Sequence, residues 1–411
     1  DYAYGITMFE NDDIDFFFED EKQMFSSVKE DIKVKGEEDI NFFVIIGSKG
    51  PIINKGFESM ESYTPESMEW IDVSEPSDLL EITYQMSHAS SIYEFRDAVS
   101  QTTAPGLNLM YGDAKGNIAW FGVGQLYERG EDVNTKFILD GNGKADISKK
   151  LLDFEQNPQA INPSWHYVYS ANNQPEEVNG KLYPGYYLPE DRAKRIVDLI
   201  NEKESFSSED VEEMINDVGS SINPKLVKII VDNISKVNLS ETEKEAMAML
   251  TAWDGSYSKE DQAPTIYFKF VYLFLKNTFA DEMGEERFQQ FLQTHLYKRQ
   301  IAKQLKWNRS IWWDDIRTKE VKELKDEIIT RSFHQAIREL TDQFGNDPDE
   351  WILSKALSVE HKHAFDKSGL LRPFFNVGPF KTDGGLEVIN NQLFDLDSSG
   401  VYKVKTGPST R

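Results

Sequence analysis

Three groups of side chains are spaced so that they could do chemistry. The first is Glu10-Asn11-Asp12-Asp13-Ile14-Asp15. Calcium takes six to eight oxygens from carboxylates and carbonyls, and Asp12 and Asp15 with an intervening carbonyl supply one wall of such a cage. No Gly follows at the sharp-turn position of an EF-hand loop, and a solvated acidic edge accounts for the same residues. The second group is Ser170-Ala171-Asn172-Asn173-Gln174-Pro175. A carboxamide N–H can hold an oxyanion, a contribution of about 10²–10³ in rate. Asn-Asn before Pro is equally good chemistry for an Asx turn. The third is His361-Lys362-His363, which on a strand puts two imidazoles on one face without a third metal ligand; a solvated helix end is the simpler reading. Trp312-Trp313-Asp314-Asp315 offers two rings to a ligand or to a helix interface.

The elements that must hold these groups change character near residue 188. Before it, short apolar runs are separated by Gly, Pro and Asp: Asp15 to Phe18, Asn41 to Gly47, Leu107 to Tyr111, Ile118 to Val123 and Trp165 to Tyr169. Asn41 to Ile46 is rich in β-formers and reads as a buried strand. Leu107–Tyr111 and Ile118–Val123 flank a turn in which Gly116 can take positive φ, a hairpin signal. After Pro76, apolar residues from Leu79 to Val99 recur at helical spacing. Beyond 188 the period becomes helical, with segments near 188–202, 223–235, 240–253, 264–280, 284–305, 318–344 and 349–357. Strand signals return at Phe374 to Val377 and Leu386 to Leu393. The fold class is α+β: 1–187 is sheet-rich, 188–365 a mostly helical excursion, and 366–411 a return to the sheet.

Composition excludes several functions. Lys plus Arg total 45 against 71 Asp plus Glu, a net charge of −26. That field repels phosphate and anionic lipid, so no nucleic-acid partner is expected. With 39% hydrophobic residues among 411, the chain can bury a large core. Cysteine is absent, which removes disulfides and a thiolate nucleophile together. The apolar window Thr265 to Ala280 carries Lys269 and Lys276 and is too short to span a bilayer. Asp1-Tyr2-Ala3 lacks a basic n-region and an apolar h-region, and the strand-like Val401 to Thr406 stops without a closing element. The sequence reads as a piece of a longer protein.

Five motifs, in order along the chain, resemble the penicillin acylase (penicillin amidase) family. They are Gly5 to Asp15, Asn108 to Ile118, Ser170-Ala171-Asn172-Asn173 with Tyr183-Pro184 and Asp191-Arg192, Ala252-Trp253-Asp254-Gly255, and Gly407-Pro408-Ser409-Thr410-Arg411. The resemblance implies an N-terminal-nucleophile hydrolase of stacked αββα layers, incomplete here, with a long helical insertion and maturation by self-cleavage into two chains. In that chemistry an N-terminal Ser attacks an amide carbonyl with its own α-amine as base, a group whose pKa near 8 suits neutral pH. The resemblance makes the Met8 N–H and the Asn172 side chain oxyanion donors, and Arg192 the support of the active-site network. It makes Asp12, the Ile14 carbonyl, Asp15 and the Thr135 carbonyl ligands of a structural, non-catalytic calcium ion. Trp70 and Leu107 fall near acyl-pocket positions. Glu10 falls there too, where a buried carboxylate disfavours an apolar acyl group.

The chain begins at Asp1 and its first Ser is Ser26, so the nucleophile is expected upstream, preceded by the missing smaller chain of the same precursor. The implied substrate is a small N-acyl amide, the implied location periplasmic or secreted, and residues 1–411 alone are expected to be inactive. The rival is a binding or structural module that keeps the hydrolase fold without catalysis.

Overall fold

The computed structural model describes residues 1–20, 22, 24–57, 64–130, 133–141, 150–177, 180 and 182–406. The motif Gly407 to Arg411 lies outside the described residues. The chain divides into two compact units, 1–187 and 188–411.

The strands of the first unit are β1 (Tyr2–Met8), β2 (Ile14–Phe18), β3 (Ser26–Ile32), β4 (Ile40–Ile46), β5 (Glu66–Trp70), β6 (Leu107–Asp113) and β7 (Ile118–Val123). Shorter ones follow: β8 (Tyr127–Glu128), β9 (Leu139–Asp140), β10 (Lys150–Leu151) and β11 (Gln159–Ile161). Three helices, α1 (Ile71–Ser74), α2 (Leu79–His88) and α3 (Ile92–Val99), lie between β5 and β6. The principal sheet has the order β1-β6-β7-β11 and is antiparallel throughout. Its β6–β7 hairpin closes at Gly116, with φ of 89°, and Asp113 accepts the Lys115 and Asn117 N–H groups, each at 2.9 Å. Ile82, Met86, Phe95 and Val99 of the helices pack on Leu109, Tyr111 and Phe121 of this sheet. Each such buried side chain contributes about 1.5–3 kcal/mol. A second sheet has the order β5-β2-β9, with Ile14 opposite Trp70.

The second unit contains α4 (Asp191–Ile200), α5 (Ser208–Ile215), α6 (Asn223–Asn233), α7 (Glu241–Ala252), α8 (Ala263–Met283), α9 (Glu285–Leu292), α10 (Leu296–Lys306) and α11 (Lys325–Phe344). After them come α12 (Leu353–Ala356), β12 (Leu357–His361), α13 (Arg372–Phe375), β13 (Val377–Lys381) and β14 (Tyr402–Val404). Helix α8 is buried nearly all round and forms the axis of this core with α11. Its Lys269 is kept inside by Glu339 and the Ser398 carbonyl, each at 2.9 Å, as a buried charge requires. Among the described residues no helix is long and apolar enough to cross a membrane. The late strands form their own sheet, β13-β12-β14.

Local chemistry explains where the elements differ from the periodicity. The single helix expected after Pro76 breaks in two because the Ser91 hydroxyl caps α3 on the Glu94 N–H at 3.2 Å, while Glu94 accepts the Ser90 N–H at 2.8 Å. The segment 284–305 breaks at Thr294, whose hydroxyl donates to the Phe291 carbonyl and accepts the Leu296 N–H. Trp165 to Tyr169 is not a strand: His166 turns back on the Pro163 carbonyl with φ of 65°. Phe374 lies in α13, which begins at Arg372 with Pro373 in its first turn, and 386–393 is irregular around Glu387, with φ of 59°. Asn41 to Ile46 does form a strand, yet an exposed one: β3 and β4 make a two-stranded ribbon with Phe42 43% and Phe43 56% exposed.

Candidate functional site

Met8 ends β1, opposite Leu107. The next N–H, of Phe9, donates to the Gly106 carbonyl at 3.1 Å. Antiparallel strands alternate bonded and non-bonded pairs, so Met8 and Leu107 form a non-hydrogen-bonded pair. The Met8 N–H is therefore turned away from β6, toward the outer side of β1, which is the edge strand among the described residues. Gly106 permits this approach because a Cβ there would lie 1.6 Å from Asn11 Oδ1.

Two carboxamides converge on the same peptide. Asn172 Nδ2 donates to the Met8 carbonyl at 2.8 Å, and Asn108 Nδ2 donates to it at 2.8 Å. The indole N–H of Trp120 donates to Asn108 Oδ1 at 2.9 Å. That bond fixes which end of the buried Asn108 amide faces Met8. Asn172 has φ of 59°, a left-handed conformation that Asn tolerates better than other side chains with a Cβ. Its own N–H reaches Ser170 Oγ at 3.4 Å, and Ser170 shares a hydrogen bond of 2.7 Å with the Thr7 hydroxyl. Met8, Leu107 and Asn172 thus come together at one end of β1.

The other expected pocket residues lie around the turn that follows. Glu10 has φ of 60°, and its carbonyl accepts the Tyr186 N–H at 2.8 Å. Trp70 sits on the neighbouring sheet opposite Ile14, against Ile71, Ala104 and Tyr127. Phe9 is buried with Leu126, Leu152, Tyr183 and Tyr187.

The acidic group is not a solvated edge. Side chains of Asp12 and Asp15 are only 4% and 1% exposed. Arg129 Nη1 lies 2.8 Å from both oxygens of Asp15, and Nη2 lies 3.5 Å from Asp12 Oδ2. Burial raises Asp12, while the hydrogen bond from Thr135 and the Arg129 charge pull the other way. Among the described residues no group of three or more His, Asp or Glu side chains is placed to hold a metal. The Arg129 guanidinium is the cation that faces these two carboxylates.

Arg192 belongs to the second unit, in the first turn of α4. Its Nε lies 3.5 Å from Glu387 Oε2, and Lys298 Nζ lies 2.5 Å from Glu387 Oε1. Burial alone would raise Glu387, yet the Lys298 and Arg192 charges hold its carboxyl below the usual glutamate range. Asp191 beside it is pushed up to about 6, first by burial and then by Glu387. Asp191, Lys298 and Glu387, but not Arg192, line a small cavity of about 50 Å³ with Asn223, Tyr257 and Tyr267, where Asn223 donates to the Tyr257 hydroxyl at 2.7 Å.

The remaining candidates are structural. His363 caps a short turn, accepting the Phe365 N–H at 3.2 Å. Trp312 packs edge-on against Phe279, and Trp313 is buried. Sequence reading missed Asn108, Trp120 and Arg129. Asn108 stood inside a quoted motif, and only its position facing Met8 across the ladder marks it.

The family described as penicillin amidase matches residues 1–411. The chain is similar to the acyl-homoserine lactone acylase QuiP of Pseudomonas aeruginosa, 22% identical over 417 residues that cover 92% of this chain and 48% of that protein. The QuiP of Pseudomonas fluorescens is 26% identical over 334 residues, 77% of this chain and 39% of that protein. The chain therefore spans about half the length of these relatives or less. Among solved structures, a thermostable penicillin G acylase from Alcaligenes faecalis superposes with a TM-score of 0.67 at 20% identity, covering 85% of this chain and 69% of that one. The α+β fold is that of the N-terminal-nucleophile hydrolases, and the chain belongs to the penicillin amidase family.

Proposed function

We propose that residues 1–411 are part of an enzyme that hydrolyses N-acyl amides, with acyl-homoserine lactones as the first substrate class to test. The nucleophile in this reading is an N-terminal Ser upstream of Asp1, released by self-cleavage from a smaller chain. Its Oγ attacks the amide carbonyl carbon, and its α-amine takes the proton and returns it to the departing amine. Water then splits the acyl ester and releases the acid.

Residues of this chain act on the tetrahedral intermediate. The Met8 N–H, turned out of the ladder, and the Asn172 carboxamide are the two oxyanion donors. A carboxamide has two N–H donors, and the bond to the Met8 carbonyl orients its plane without any cost at the moment of reaction. Leu107, Trp70 and Glu10 border the acyl group in this reading. The compartment in this reading is periplasmic or secreted. The observation that carries the proposal is the 2.8 Å contact between Asn172 Nδ2 and the Met8 carbonyl at the open end of β1.

The test is hydrolysis of N-acyl-homoserine lactones and simple N-acyl amides by the whole protein, followed by mass spectrometry of the released acid. Turnover is expected to fall about 10²–10³ in Asn172→Ala. Turnover indifferent to that change, or none with any N-acyl amide, would favour a non-catalytic module on the same fold.

A further inference from the structure

The pocket made by Asp12 and Asp15 holds a cation that belongs to the chain itself. We propose that Arg129 is its resident counter-ion, taking the place of a divalent metal and locking the turn that follows Met8.

The geometry is specific. One guanidinium nitrogen bonds both oxygens of Asp15 at 2.8 Å, and a second faces Asp12 at 3.5 Å. All three side chains are nearly sealed from water, at 7%, 4% and 1% exposure. The guanidinium also lies 4.6 Å from the Tyr127 ring centroid, a cation–π arrangement that a compact hydrated ion does not gain from. A divalent ion at the same oxygens would have to expel the guanidinium or bear its repulsion at close range in a buried setting.

The pocket is tied to the candidate site by backbone. The Asp12 N–H donates to the Pro184 carbonyl at 3.0 Å, and the Tyr186 N–H donates to Glu10. The Tyr127 N–H donates to the Tyr183 hydroxyl at 3.2 Å. Arg129 therefore closes a ring of contacts around residues 9–15, immediately beyond the Met8 peptide. It is a positioning residue: it reaches the donors only through Asp12, Asp15 and this turn.

The experiment is thermal unfolding of the whole protein with chelator and with millimolar calcium, beside calorimetric titration with calcium alone. For the natural protein the midpoint is expected to stay the same in both conditions, with no saturable heat. Arg129→Gln leaves two buried carboxylates uncompensated, and its midpoint is expected to fall about 10 °C. Arg129→Lys, which keeps the charge and loses the planar guanidinium that faces both carboxylates and Tyr127, is expected to recover part of that fall. A natural protein whose midpoint rises saturably with calcium overturns the proposal, as does an Arg129→Gln variant as stable as its parent. Should Arg129→Gln fail to fold, the titration of the natural protein decides: saturable heat abolished by Asp15→Asn overturns the proposal, and its absence supports it.

Discussion

Asn172 and Met8 are 164 positions apart in sequence, yet the carboxamide of one donates to the carbonyl of the other at 2.8 Å. The Asn108 amide reaches that carbonyl from a second direction, so a single backbone oxygen is held twice. A peptide pinned in this way cannot rotate without breaking both bonds.

Loss of one pin should separate catalysis from folding. Asn172 is partly exposed, so Asn172→Ala is expected to leave the unfolding midpoint within a few degrees of its parent while amide turnover drops about 10²–10³. Parallel melts and steady-state rates read the two quantities. A proportional loss of both would mean that the residue serves the fold alone.

The indole of Trp120 sets the direction of the Asn108 amide. Trp120→Phe removes the N–H and leaves Asn108 Oδ1 without it in a position only 3% exposed. The expected cost is about 1–3 kcal/mol from the stranded acceptor, together with the lost ring volume, and kcat is expected to fall more than KM rises. Denaturant titration and initial rates check both. Unchanged kcat would release Asn108 from the role of orienting the Met8 peptide.

Acidity in the second unit carries a definite sign. Asp191 titrates near 6 in the folded chain against an ordinary 3.8, because burial and then Glu387 oppose its charge. Between those values the unfolded chain gives up the proton and the folded one keeps it, so stability falls as pH climbs through this window. Asp191→Asn should accordingly stabilise by up to about 2 kcal/mol at neutral pH and by almost nothing near pH 4. Melting at both values tests the difference, and equal shifts would place the cause elsewhere.

Glu387 runs the other way. Its carboxyl is held low against burial by Lys298 and Arg192, so its contribution is present above its unfolded titration and disappears as the solution is acidified through its folded value. Lys298→Met is expected to cost about 3–5 kcal/mol, and pairing it with Glu387→Gln to recover most of that loss. Urea midpoints of the single and double variants suffice. A double variant no better than the single would show that packing, not charge, governs the site.

Legibility in the sequence followed the range of the interactions. The β6–β7 hairpin was readable because its turn is local, with Asp113, Asn117 and Gly116 all inside a few residues. Helix ends were misjudged where one hydroxyl overrides apolar periodicity, as Ser91 and Thr294 do. The convergence of Asn172 on Met8 was carried by resemblance and not by spacing, since either motif alone fits an ordinary turn. Arg129 could not be found at all: it meets Asp15 across 114 positions, and nothing local distinguishes it from the other basic residues. The apolar run 41–46 misled for the opposite reason, because β-forming composition reports strand but not which side water occupies.

That ribbon bears on how the protein is handled at the bench. Val28, Ile32, Ile40, Phe42 and Phe43 stand open on a ribbon whose further pairing among the described residues is confined to its end, where Ile45 and Ile46 meet Pro51 and Ile52. Greasy, unaccompanied hairpins are where chains recognise copies of themselves. During dilution from denaturant, yield will be governed by a race between folding of the rest of the chain and capture of this open ribbon by another molecule, so it should worsen with concentration however stable the helical half is.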